Sequence, residues 1–306
     1  MVTLKLWLAA LLTPLVPFAA AVWLWRRRAA GVLDRLLAAA TVAALSLVTF
    51  IAAPWAMTSY YLRYALAAAF ALATYSSLRK GLEAHARGRA TPDRAAGVIR
   101  VALLVVLLSL DALALKSYFY AVAPVELSFP LSGGVYYVMQ GGNSRITNPF
   151  HRGGADARED YALDIVKLDH AGRRAAGVVP RRLDAYAVYG ETIRSPCDGE
   201  IVELFDGVPD NAIGDGGRNP SNHLVVRCKG VRVTLAHETP GSFLVREGER
   251  VADGQPLARV GSSGRAIEPH LHIDAVRDAA GDASQITPVP VSFGGRMLST
   301  NSIITR

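Results

Sequence analysis

The chain has 306 residues, 33 Lys and Arg against 26 Asp and Glu, 51% apolar residues, only 19% charged residues and a formal net charge of +7, with a mean hydropathy of +0.24. Soluble globular domains carry about 25% charged residues, so the balance argues against a wholly soluble protein, and disorder, which needs low hydrophobicity and high charge, is excluded. Two Cys cannot supply a disulfide framework, and the length allows roughly two domains.

Nearly every uninterrupted apolar run lies before residue 122, and most Gly, Asp and His lie after it. Four stretches approach the ~20 apolar residues that a helix needs to cross a bilayer: residues 4–25, 36–57, 60–77 and 98–120. The third contains Arg63 near its start, where the guanidinium can snorkel to the headgroups. Asp111 is the one acid within a span and is read as approaching the interface or bonding within the bundle. The basic cluster Arg26, Arg27, Arg28 follows the first apolar run, whereas a cleaved signal peptide carries its basic residues ahead of it.

Basic residues accumulate on the cytoplasmic side of a membrane. Arg26 to Arg28 and Arg35 fill the loop after the first span, and Arg79, Lys80, Arg87, Arg89 and Arg94 fill the loop after the third. Both termini are therefore expected outside, with the second half of the chain extracytoplasmic. Trp7, Trp23, Trp25, Trp55, Tyr60, Tyr61, Tyr118 and Tyr120 sit at span ends as interfacial belts. The positive charge is thus mostly topological, and nucleic acid is not an expected partner, whereas membrane lipid is. The organisation expected is a membrane region over 1–121, a short linker over 122–132, a β domain over 133–296 and a tail over 297–306.

From Pro130 onward, short apolar runs broken by Gly, Pro, Asn and Asp read as strands with turns. Candidates are Val135 to Met139, Tyr161 to Val166, Glu200 to Phe205, His223 to Arg227, Val231 to His237, Pro256 to Val260, Leu271 to Val276 and Val289 to Phe293. No long helical period appears, so the domain is expected to be mainly antiparallel β. Six of the seven His lie in this half. In His270-Leu271-His272 the two imidazoles project to one face of a strand. The turn Gly261-Ser262-Ser263-Gly264 lies just upstream, and Pro269 stands at a permitted strand entry. Asp164 is a single carboxylate in an apolar strand, which is costly unless paired with a cation or bound to a metal. His237 ends the run Val231 to Ala236 and is either a satisfied core histidine or a site residue.

Ser195-Pro196-Cys197-Asp198-Gly199, Leu235-Ala236-His237, Gly241-Ser242, Val245, Gly248, Val251, Gly254-Gln255, Val260-Gly261-Ser262-Ser263-Gly264 and Pro269-His270-Leu271-His272 occur in order. Together they resemble the lysostaphin-type zinc metallopeptidases, the LytM family of peptidoglycan endopeptidases, over roughly residues 132–296. The resemblance implies a mainly antiparallel β fold and one Zn2+ per domain. It makes Asp164 and His272 metal ligands and His237 and His270 catalytic. The family's first motif is H-x-x-x-D, but here Asp160 stands four residues before Asp164. His151, in Asn148-Pro149-Phe150-His151, is the expected third ligand, with His170, His223 and Asp160 as competitors. His85 is excluded because the topology puts it in the cytoplasm.

A catalytic zinc takes three protein ligands and keeps one position open for water, whose ionisation it promotes near neutral pH. No H-E-x-x-H occurs, so the two remaining histidines would share proton acceptance and oxyanion stabilisation. Cys197 and Cys228 fit either a disulfide, permitted in an oxidising compartment, or two buried thiols. The function expected is a membrane-anchored zinc metalloendopeptidase acting on peptidoglycan or another extracytoplasmic peptide. The rivals are a peptidase-like module that binds wall or regulates a hydrolase without turnover and, resting only on Asp111, a transporter with an appended domain.

Overall fold

A computed structural model of the chain describes residues 2–27, 32–87, 94–152, 158–217, 220–279 and 282–306. Four helices come first: α1 (Val2–Arg26), α2 (Val32–Ala52), α3 (Leu62–Ala86) and α4 (Arg94–Lys116). Three of them, over Thr3–Arg26, Val32–Ala52 and Gly97–Lys116, are long and apolar enough to cross a membrane. The fourth span expected near 60–77 does not meet that requirement. The apolar stretch of α3 between Arg63 and Arg79 falls short of about 20 residues. Helix α3 instead packs on α1 and α2, while α4 packs on α2. Arg63 does not snorkel as expected: it is buried, with its guanidinium 3.6 Å from the Phe50 ring centroid, where the ring's negative face attracts the cation. Asp111 is also buried, at 4% exposure, within the bundle.

The two ends of the bundle differ. At one end Asp34 pairs with Arg27 and Arg100, and Arg35 donates to the Ser77 carbonyl at 2.9 Å. The other end meets the second domain. There the Ala56 carbonyl accepts from Arg174 N at 3.0 Å, Tyr60 N donates to Gly172 O at 2.8 Å, and Asn143 N donates to Ser117 O at 3.1 Å. Asn301 Nδ2 adds bonds to Ile51 O at 2.6 Å and Ala53 O at 3.1 Å. Arg28 and Arg89 lie outside the described residues, as do the side chains of His85 and Arg94.

The β domain carries β1 (Val125–Leu127), β2 (Val135–Gln140), β3 (Leu163–Leu168), β4 (Thr192–Arg194), β5 (Gly199–Phe205), β6 (His223–Cys228) and β7 (Val231–Ala236). It continues through β8 (Arg250–Val251), β9 (Pro256–Arg259), β10 (Leu271–Ala279), β11 (Asp282–Pro288), β12 (Val291–Phe293), β13 (Arg296–Met297) and β14 (Ile303–Thr305). The main sheet runs β14-β2-β3-β10-β7-β6-β5-β8, with β11 on β10. Every pairing is antiparallel except β1 with β12. Along β7, Val231, Val233 and Leu235 enter the core while Arg232 and Thr234 alternate outward, the period of a one-sided strand. Lys229 and Gly230, both at positive φ, form the two-residue hairpin that joins β6 to β7.

The stretches read as a linker and a tail each contribute a strand to a sheet. The linker over 122–132 contains β1, and the tail over 297–306 contains β14, with Ile304 opposite Tyr136 of β2. Neither short strand alternates over enough residues to be read as one. Cys197 and Cys228 are joined in a disulfide, with 6.3 Å between Cα atoms and a sequence separation of 31. Closing a loop of that size is worth about 3–4 kcal/mol in the chain-entropy model. Replacing both cysteines by serine is therefore expected to lower unfolding stability by up to that amount in urea titrations of the oxidised protein. An unchanged midpoint would show that the bond constrains nothing.

Candidate active site

Strand β10 is the centre of the site because it pairs on both sides, with His272 opposite Asp164 of β3 and opposite Ala236 of β7. His270 enters just before the strand, and His237 directly follows β7. His237 holds φ at 75°, a left-handed conformation uncommon for a residue with a Cβ. Three contacts hold it there: its N–H donates to Asn222 O at 2.9 Å, its carbonyl accepts from Gly261 N at 3.0 Å, and its Nδ1–H donates to Ser263 O at 2.9 Å. The turn 261–264 must come this close, since a Cβ on Gly261 would lie 2.5 Å from Thr239 N and one on Gly264 would lie 2.4 Å from Ser221 Cα.

Asp164, His237, His270 and His272 all line one cavity of about 700 Å³. His272 Nδ1 is 2.9 Å from Asp164 Oδ1, and His270 Nε2 is 3.5 Å from the same oxygen. The His237 ring centroid is 4.6 Å from that of His270 and 5.7 Å from that of His272. His270 Nδ1–H donates to Glu268 O at 2.8 Å. The three imidazoles thus fall into two kinds. His237 and His270 each donate Nδ1–H to a main-chain carbonyl, which leaves Nε2 as the ring nitrogen free of main-chain bonding, whereas His272 turns Nδ1 to a carboxylate and has Asp274 Oδ2 3.5 Å from Nε2.

The charges follow from this packing. Burial acts to raise the Asp164 carboxyl, but His270 and His272 outweigh it and hold the group below its ordinary value. Burial acts to discharge His272, yet Asp164 and Asp274 push it up to about 10. Burial, together with repulsion from His270 and His272, drives His237 well below its ordinary value and keeps it neutral.

His151 is not among the residues that line the cavity. Its Nδ1 donates to Asp160 O at 3.1 Å, and its ring lies 5.9 Å from that of Tyr161. Its neighbour Phe150 lines the cavity, edge-on to His272 at 5.3 Å. Asp160 is buried and accepts from Arg152 N at 2.8 Å. Residues 153–157, most of the connection from His151 to Asp160, lie outside the described residues. His223 is on the cavity wall but is engaged by Glu203 at 3.0 Å and Ser221 O at 2.9 Å, and His170 lies in an exposed turn. Asp164 and His272 supply the oxygen and nitrogen donors that zinc takes, but among the described residues no three His, Cys, Asp or Glu side chains are grouped to hold a metal. The donor set therefore fits in chemistry and is one member short in arrangement.

Three residues escaped the reading of the sequence. Arg174 and Glu268 form a buried bidentate pair, both contacts 2.7 Å, with Arg174 fully buried. Glu268 is the residue whose carbonyl fixes His270, and Arg174 N is bonded to the helix connector at Ala56. Glu238 follows His237 and is fully buried, its two carboxyl oxygens without a hydrogen-bond partner among the described residues. Burial raises its carboxyl well above the ordinary range. Burial of a charged side chain carries no signature in one-dimensional charge patterning, so only the fold reveals these three.

Residues 181–283 match the model of Peptidase family M23, and the chain carries a domain of that family. The matched stretch contains His237, His270 and His272, while His151 and Asp164 precede it. No curated protein matches the chain significantly. Among solved structures, a zinc-containing peptidase from Vibrio cholerae is similar at 17% identity and a TM-score of 0.32, over 54% of this chain and 39% of that one. The catalytic domain of the antimicrobial peptidase lysostaphin from Staphylococcus simulans is similar at 16% identity and 0.28, over 53% and 86%. A mutant catalytic domain of the prophage-encoded M23 protein EnpA from Enterococcus faecalis is similar at 12% identity and 0.28, over 56% and 94%. The chain thus spans well under half of the Vibrio cholerae protein.

Two outcomes are expected from the missed residues. Arg174→Met leaves Glu268 buried without its partner and is expected to cost about 3–5 kcal/mol of unfolding free energy, read by chemical denaturation; a loss below about 1 kcal/mol, the size of an exposed pair, would refute the burial argument. Glu238 keeps its proton in the folded state above its ordinary value of 4.5, so stability should fall as pH rises from there through the raised pKa. Glu238→Gln removes that slope, which thermal unfolding across pH would register as a flatter profile than the parent's.

Proposed function

We propose that the chain is a membrane-anchored metalloendopeptidase that cuts peptide bonds of peptidoglycan on the extracytoplasmic side. The M23 domain supports peptide hydrolysis in general. The single observation that carries the finer reading is the division of labour among the imidazoles: two have Nδ1 fixed by a main-chain carbonyl, and one turns Nδ1 toward a buried carboxylate.

In this reading Asp164 and His272 would hold zinc, with His151 as third ligand. When bound, the ion supplies a Lewis acid for the scissile carbonyl and lowers the pKa of water. His272 must give up its Nδ1 proton to act as a ligand, so loading releases a proton and improves as pH rises. His237, kept neutral by burial, is the group suited to accept a proton. His270, beside Asp164 and fixed through Glu268 O, is suited to donate one or to face the oxyanion. The three apolar helices support membrane attachment, and the basic residues at the bundle end remote from the β domain support an extracytoplasmic site.

One observation favours the second reading, a binding or regulatory module without turnover: Asp160 occupies the position four residues before Asp164 where the resembled motif has His. Metal content separates the two. In the full chain, near-stoichiometric zinc is expected, lost in His272→Ala and in His151→Ala. His237→Ala and His270→Ala are expected to keep the zinc and lose about 10²–10⁴-fold in peptide cleavage, the usual worth of a general acid or base. Well-folded protein without metal would establish the module, and full zinc retention in His151→Ala would move the third ligand to Asp160, His170 or His223.

A further inference from the structure

The cavity that holds the histidines is not made by the β domain alone. Leu6 and Ala9 of α1, with Pro54 and Met57 of the connector between α2 and α3, form part of its wall. This wall is fastened at both edges. At one, Thr3 lies so close to Gly214, itself at φ 80°, that a Cβ there would come within 2.5 Å of Thr3 Oγ1. At the other, Trp55, Ala56 and Met57 are buried, and Ala56 O takes the hydrogen bond from Arg174 N.

The outer face of the same helix turns is open. Leu4, Leu8 and Leu11 are 62%, 46% and 48% exposed, and α1 is one of the three helices able to cross a membrane. The first turns of α1 therefore carry both exposed leucines and, at Leu6 and Ala9, part of the wall of the cavity that holds the imidazoles. The same cavity also has polar lining, with Gln140, Arg158, Glu159 and Arg265, suited to peptide carbonyls, amides and charged ends. A water-soluble peptide would use only the polar lining. An amphiphile would use both: its hydrocarbon stays in the outer leaflet while its peptide reaches the cluster. The β domain is seated on the bundle through the connector at Ala56 and through Asn301, which holds it beside the helices.

We propose that the substrate is a peptide carried on a membrane lipid, its hydrocarbon lying along Leu6, Ala9, Pro54 and Met57. This rests on reading the cavity as a peptide-hydrolysing site, and it narrows the substrate from wall peptide in general to peptide still joined to lipid.

The test uses the full chain in lipid nanodiscs and a lipid-linked pentapeptide with a diazirine in its hydrocarbon near the headgroup. The control is the same diazirine lipid ending in a hydroxyl. Crosslinks mapped by mass spectrometry are expected to concentrate on residues 6–9 and 54–57 at least about fivefold over the control, and to be displaced by unlabelled lipid-linked peptide, a gain typical of a formed pocket over bulk lipid contact. An identical crosslink pattern for both lipids would overturn the proposal. In a kinetic arm, Ala9→Trp narrows the wall and is expected to raise KM about tenfold, or 1.4 kcal/mol, for the lipid-linked peptide and by several-fold less for the lipid-free peptide. Equal effects on both substrates, or none on either, would also overturn it. Failure to cleave either peptide with the selective crosslink retained would sink the peptidase reading and leave the lipid-linked ligand standing.

Discussion

Everything about the site depends on one carboxylate that is kept ionised while being 6% exposed. Taking such a group out of water costs several kcal/mol unless cations or hydrogen bonds replace the lost hydration, and Asp164 meets that condition with imidazoles from two further strands. This is why β10 must lie between β3 and β7, in the register that sets His272 against both Asp164 and Ala236. A slip of one residue would turn His270 and His272 to the opposite face and leave the carboxylate unpaired. The arrangement is therefore held by electrostatics as well as by the apolar core beneath Leu271 and Ile273, each fully buried.

A second buried pair carries the constraint outward. Arg174 and Glu268 neutralise each other, and their main chains do separate work: Arg174 N bonds the helix connector and Glu268 O bonds His270. The orientation of one imidazole is thus coupled through two residues to the position of Ala56 at the end of the bundle. An ion pair is a poor source of net stability in such a place. What it provides is geometry, because a bidentate fork tolerates little rotation.

Much of this was legible in the sequence. The composition break near residue 122, three of the four membrane-type stretches and eight of the strands (β2, β3, β5, β6, β7, β9, β10 and β12) follow from run length and alternation, and the H-x-H pair placed two imidazoles on one face. The elements that were not legible share a physical reason. Strands β1, β4, β8, β11, β13 and β14 are too short or too polar to show a period, and they form because partners elsewhere in the chain offer free edges. The length of α3 promised a span that its Arg63 and Arg79 interrupt. His237 was visible as a histidine at a strand end, but its left-handed backbone depends on Asn222, Gly261 and Ser263, which no local pattern connects. The linker over 122–132 read as a short tether, and the strand that pairs partway along it shows only in the fold.

That last point changes how the two halves work together. Fully extended, the 18 residues between α4 and β2 would span at most about 65 Å, enough for a domain to range over the membrane. Pairing of Val125 with Val291 removes that slack near its start, and Asn301 fastens the C-terminal end to the Ile51 and Ala53 carbonyls. The β domain is consequently held at both of its termini against the same end of the bundle. A catalytic cluster so held has a fixed height and tilt relative to the helices. The helices then serve as part of the cavity wall as well as an anchor, and the apolar face of α1 becomes part of what the histidines can see.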